Sequence, residues 1–179
     1  YIMTICVAVR VPDALILAAD SATTVVENQS DNSTTKNRVV KITNFSSKIW
    51  QLKNFPLAVM SWGAGAIGPR SVGSVVREFE SCYKFRGALN VKKVAFSLKE
   101  FLMLFCKKYK EFNINKINFF IGGYSFNRYF SDQYMVSIPK GEVTKCFACS
   151  TDSDASQSYG ASWFGSSYPL SRFINGYDV

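Results

Sequence analysis

The chain has 179 residues and a mass of 20.1 kDa, is 47% hydrophobic, and has a mean hydropathy of +0.02, the composition of one soluble domain with a buried core. It contains no histidine, which excludes Ser-His-Asp and Cys-His nucleophile pairs, imidazole zinc ligands and any imidazole general base. Lys and Arg outnumber Asp and Glu by 21 to 13, a net charge of +8 that permits an acidic partner without requiring one. The longest apolar runs, residues 14–19 and 101–106, are far too short to span a bilayer, so no membrane partner is expected. Five cysteines without a secretory signal read as reduced thiols, and cytoplasmic residence is the expectation.

Residues 4–11 and 14–19 are rich in Val, Ile and Leu and are joined by Pro12 and Asp13, which predicts a β-hairpin. Neither run alternates cleanly with polar residues, so both faces of its sheet are expected to be covered, by a second sheet and by helices. The tract 27–37 is almost entirely polar and predicts a surface loop. Strands are expected at 37–43, 48–52 and 57–61, followed by the small-residue turn Trp62-Gly63-Ala64-Gly65-Ala66. Val72, Val75, Val76, Phe79 and Tyr83 recur at helical spacing, predicting a helix near 67–86. Val91, Val94, Leu98, Leu102 and Phe105 predict a second over 91–112, its lysines forming a solvated face. No nucleic-acid motif accompanies those lysines, and no nucleic-acid partner is expected. Strands return at 117–122, 133–138 and 143–149, then a polar loop at 151–158 and a short helix at 168–176. Strands, two helices, then strands favour an α+β layered domain covering 1–179 over a doubly wound parallel sheet.

Cys146 and Cys149 form a CxxC within a predicted strand, where positions three apart face opposite ways, and no histidine completes a site; no metal is expected. The glycines at 63, 65 and 68 lack the Lys-Ser/Thr of a phosphate-binding loop, and no cofactor is expected. A different constellation carries chemistry. Thr4 opens the first strand and Asp20 closes the second, so a hairpin sets them side by side; Lys48 begins a later strand. A threonine hydroxyl can act as nucleophile without histidine if the chain is cut to free its own α-amine, whose pKa of about 7.7–8.0 suits a base near neutral pH. A neighbouring lysine lowers that pKa by like-charge repulsion, and an aspartate holds the lysine charged and in place.

Thr4-Ile5-Cys6-Val7-Ala8-Val9, Ala14-Leu15-Ile16-Leu17-Ala18-Ala19-Asp20-Ser21, Lys48-Ile49 and the Trp62-Gly63-Ala64-Gly65 turn together resemble the proteasome β-type peptidases, including the bacterial proteasome-like peptidase, of the N-terminal nucleophile (Ntn) hydrolase superfamily. Phe119-Phe120-Ile121-Gly122-Gly123 and Tyr134-Met135-Val136 are similar to the family's later strands. The resemblance implies a four-layer αββα sandwich and a threonine-type peptidase acting on peptides or amides in a homo-oligomeric ring. It implies Thr4 as nucleophile after removal of residues 1–3, Lys48 as the lysine tuning the amine, and Asp20 as its orienting partner. It further implies Gly63 as the oxyanion donor, Ser166 or Ser162 as auxiliary hydroxyl, and Lys41 as the alternative lysine. The family's last helices have no counterpart before Val179, which leaves a short form and a missing C-terminal part both open. A non-catalytic ring or scaffold subunit is the alternative function, and neither ring size nor an unfoldase partner is specified by the sequence.

Overall fold

A computed structural model describes residues 4–166 apart from 32, 33, 44, 54, 85, 86, 113 and 147–158. The chain opens with β1 (Ile5–Val11), β2 (Ala14–Ala19), β3 (Thr23–Asp31) and β4 (Thr34–Thr43), followed by β5 (Ile49–Leu52) and β6 (Leu57–Gly63). Two short strands, β7 (Ala66–Ile67) and β8 (Arg70–Ser71), lead into the helices α1 (Val72–Cys82) and α2 (Val91–Lys108). Then come β9 (Ile117–Gly123), β10 (Asp132–Ile138), β11 (Glu142–Lys145) and β12 (Gly160–Gly165).

Two antiparallel sheets dominate: a five-stranded one in the order β11-β10-β9-β6-β5 and a three-stranded one in the order β12-β1-β2. The strand pattern explains how they stack. β9 is buried at all seven positions, so it is covered on both faces. On one face Phe120, with Met60 and Trp62 of β6, meets Cys6 and Ala8 of β1, and the Trp62 and Phe164 rings stack with centroids 4.6 Å apart. On the other face Ile117, Phe119 and Ile121 join Val75, Val76 and Phe79 of α1 and Leu98, Leu102 and Phe105 of α2 in the larger core. The buried helix positions match the expected stripes, and Lys92, Lys93, Lys107 and Lys108 are exposed.

This arrangement corrects the expected four-layer αββα sandwich. The described residues form antiparallel sheets with only two helices, both on the five-stranded sheet, giving three layers. The outer face of the three-stranded sheet has no helix over it among the described residues: β1 buries only alternate residues, and Ile16 of β2 is 56% exposed. Among the described residues the unbroken apolar composition of the hairpin therefore marks an apolar outer face and not a second covered one.

Local expectations are corrected as well. Residues 27–37 are not a loop but parts of β3 and β4, a two-stranded ribbon with Glu27 opposite Arg38 and Asn28 opposite Asn37. A ribbon satisfies its backbone groups across its own ladder and needs no apolar periodicity to do so. The first helix starts at Val72 and not at 67, because Gly68 at φ 56 and Pro69 close the β7–β8 turn. Ser71 then caps α1, its side chain accepting from the Ser74 N–H at 3.3 Å. β12 was not anticipated. The loop 151–158, the helix 168–176 and Cys149 lie outside the described residues. No helix among the described residues is long and apolar enough to cross a membrane.

Candidate functional site around Thr4

The N-terminal end of β1 is held from both sides. Asp20 N–H donates to the Ile5 carbonyl at 3.0 Å, and Ile5 N–H donates back to Asp20 Oδ1 at 2.8 Å. On the other side the Ser166 N–H donates to the Thr4 carbonyl at 2.7 Å. That approach requires glycine at 165: its φ is 85°, and a Cβ there would lie 2.0 Å from the Thr4 oxygen. Thr4 is consequently fixed and only 3% exposed.

Asp20 completes its acceptor capacity with Lys48 Nζ at 2.8 Å and the Ala22 N–H at 3.2 Å, both on Oδ2. Lys48 Nζ also donates to the Ala22 carbonyl at 2.5 Å. The lysine side chain is 10% exposed and the carboxylate 27%, so this ion pair is shielded more than a surface one. Lys48, and not Lys41, is the lysine that reaches Asp20; Lys41 is exposed on β4, opposite Val25.

Thr4 and Lys48 line a cavity of about 540 Å³ together with Gly63, Trp50, Ser61 and the first turn of α1. Gly63 ends β6 at φ 104, and a Cβ on it would lie 2.4 Å from the Lys116 carbonyl, so the turn admits only glycine. Ser61 N–H donates to the Lys48 carbonyl at 2.9 Å. Strand alternation puts the Gly63 N–H on that same edge, beyond the start of β5 and toward the cavity. The two auxiliary serines separate: Ser166 bonds Thr4 through its backbone, whereas Ser162 pairs with Ala8 in the middle of β1.

Cys6, directly after the site, is buried; its thiol donates to the Ser61 carbonyl at 3.7 Å. Its pKa is pushed up to about 12 by burial, with Lys48 opposing and Asp20 adding to the rise. Burial likewise raises Cys146 to about 11. Among the described residues no group of His, Cys, Asp and Glu could hold a metal ion. Gly165 and Trp50 were missed at the sequence level. The Gly165-Ser166 pair was visible, but nothing local linked it to Thr4.

No protein-family model matches the chain, and no curated protein matches its sequence. Solved structures do match. A mutant Anbu from Hyphomicrobium sp. strain MC1 aligns at 19% identity and TM-score 0.58 over 98% of this chain and 67% of that one. Anbu from Yersinia bercovieri, described as an ancestral beta-subunit, aligns at 17% and 0.59 over 98% and 67%. The helical assembly of the Anbu complex from Pseudomonas aeruginosa aligns at 18% and 0.57 over 94% and 65%. At these identities the likeness is one of fold. The chain spans about two thirds of the length of these neighbours. The comparison also corrects the expected family: the neighbours are Anbu proteins, a proteasome-like group distinct from the proteasome β-type peptidases of the sequence-level resemblance.

Proposed function

We propose that the chain is a cytoplasmic subunit of a homo-oligomeric, proteasome-like assembly that carries a threonine-type amide-hydrolysing centre at Thr4. The fold likeness to Anbu structures, one of them a helical assembly, most directly supports the subunit role. The single observation behind the hydrolytic role is the shielded Lys48–Asp20 pair built at the end of the strand that Thr4 opens. With residues 1–3 removed, the Thr4 amine takes the proton of its own hydroxyl as Oγ attacks a peptide carbonyl. The Lys48 ammonium keeps that amine from binding a proton too tightly, and Asp20 holds the ammonium. The developing oxyanion takes a hydrogen bond from the Gly63 N–H, a contribution of about 3–4 kcal/mol to the barrier if it matches other such donors. The protonated amine then donates to the leaving amine. Water, activated by the same amine, hydrolyses the acyl-threonine ester.

One observation favours a second reading, a non-catalytic scaffold subunit. While Met3 precedes it, the Thr4 nitrogen is an amide and cannot serve as base. Intact-mass measurement of the purified chain, followed by incubation with a threonine-directed epoxyketone, separates the two. A chain beginning at Thr4 that gains one inhibitor mass supports the hydrolase; a chain with free Thr4 that gains none leaves the scaffold role.

A further inference from the structure

The cavity beside Thr4 has a charge asymmetry that the Thr4 chemistry does not use. Among the described residues no aspartate or glutamate lines it, and the cations in its lining are Lys48 and Arg77. The Lys48 charge is matched by Asp20 at 2.8 Å. Arg70, on the short strand before α1, is matched by Glu78 at 2.8 Å and does not line the cavity. Arg77 is exposed and makes no ion pair with any described residue.

Its position follows from the helix repeat. Gly73 and Arg77 are four residues apart on α1 and share one face, which is the face turned to the cavity. At Gly73 the helix backbone comes so close to the Trp50 indole that a Cβ would lie 3.2 Å from Trp50 Nε1. Trp50 and α1 thus form one wall of the cavity, Arg77 lies one turn further along the helix, and Ser46 and Ser74 are among the lining residues. A substrate side chain along this wall meets an aromatic surface, neutral hydroxyls and one uncompensated positive charge. A lysine or arginine would meet like charge; a carboxylate gains an opposite one with fork geometry.

We infer that this cavity selects peptides bearing an acidic side chain, with Arg77 as the specificity-determining residue. The inference rests on the reading of the Thr4 cavity as a peptide site, but its test does not need turnover. The full chain is titrated calorimetrically with three blocked peptides, Ac-Ala-Leu-Glu-NH2 and its Gln and Lys counterparts, and the titrations are repeated with Arg77→Gln and Arg77→Glu. The expected result is about fivefold tighter binding of the Glu peptide than the Gln peptide, the range of a partly exposed ion pair. That preference weakens in high salt, is lost in Arg77→Gln and turns toward Lys in Arg77→Glu. Equal binding of the Glu and Gln peptides, a preference that survives Arg77→Gln, or no Glu-peptide binding at millimolar concentration overturns the inference. Because Arg77 is exposed on a helix, both variants keep the native far-UV circular dichroism. A selective chain that forms no epoxyketone adduct even with Thr4 free removes the hydrolase reading alone; an adduct without selectivity removes only this inference.

Discussion

On the proposed mechanism Thr4, Asp20 and Lys48 act as one unit, and the variants at these positions should behave accordingly. In a chain beginning at Thr4, Thr4→Ala and Lys48→Ala are each expected to abolish peptide hydrolysis, Thr4→Ser to keep a fraction, and Lys41→Ala to be silent, as read from kcat with a fluorogenic peptide. Lys48→Ala also leaves the Asp20 carboxylate with only its two backbone donors, so a loss of about 1–3 kcal/mol in urea denaturation accompanies it. The thiols give a pH-dependent check. An unfolded Cys6 ionises near its ordinary value of 9.0, whereas the folded thiol stays protonated until about pH 12. Between those values the folded chain binds more protons than the unfolded one, so stability falls as pH rises through the interval. At pH 8 iodoacetamide should modify exposed Cys82 well before buried Cys6 and Cys106, as read by peptide mapping.

At the scale of elements, the site depends on two glycine-terminated strands. Gly63 ends β6 against the Lys116 carbonyl and Gly165 ends β12 against the Thr4 carbonyl, both at positive φ. Gly63→Ala and Gly165→Ala are each expected to lower stability by about 2–3 kcal/mol, from strained backbone and forced displacement of the neighbouring carbonyl, measurable by chemical denaturation. These elements differ in how far they could be read from sequence. The β1–β2 hairpin was legible because a tight turn dictates which ends meet, which is why Thr4 and Asp20 could be paired. The helices were legible from their apolar stripes. β12 was not, because residues 160–165 are a short run whose partner, β1, lies at the far end of the chain, and pairing at that separation leaves no mark on local periodicity. Arg77 was hidden for another reason: an exposed cation on an amphipathic helix looks like any solvated residue until the cavity it lines with Trp50 is seen.

For the whole molecule, the layer count decides what remains uncovered. The outer face of the three-stranded sheet presents Val7, Val9, Ile16 and Trp163, half-buried or exposed, an apolar surface of the kind that association covers. Light scattering at micromolar concentration is expected to give a multiple of 20.1 kDa, and Ile16→Lys to shift the population toward the single chain. A monomeric wild-type chain would count against the assembly. The sandwich of two sheets was legible from the apolar strands, but the same lack of polar alternation, together with the resemblance, gave the expectation of a second helical layer that the described residues do not show.

The pairing of β1 with β12 has a consequence for timing. Ile5 leaves the ribosome well before its ladder partner Gly165 and the Ser166 amide that holds the Thr4 carbonyl. At roughly 5–20 residues per second, the interval is about ten to thirty seconds of synthesis. During it β1 has one neighbouring strand, β2, instead of two, and the Thr4 carbonyl lacks the Ser166 amide that holds it. Thr4 therefore acquires its fixed position only when the late strand docks, so a nascent or prematurely terminated chain has not yet assembled the site, whatever the state of its N-terminus.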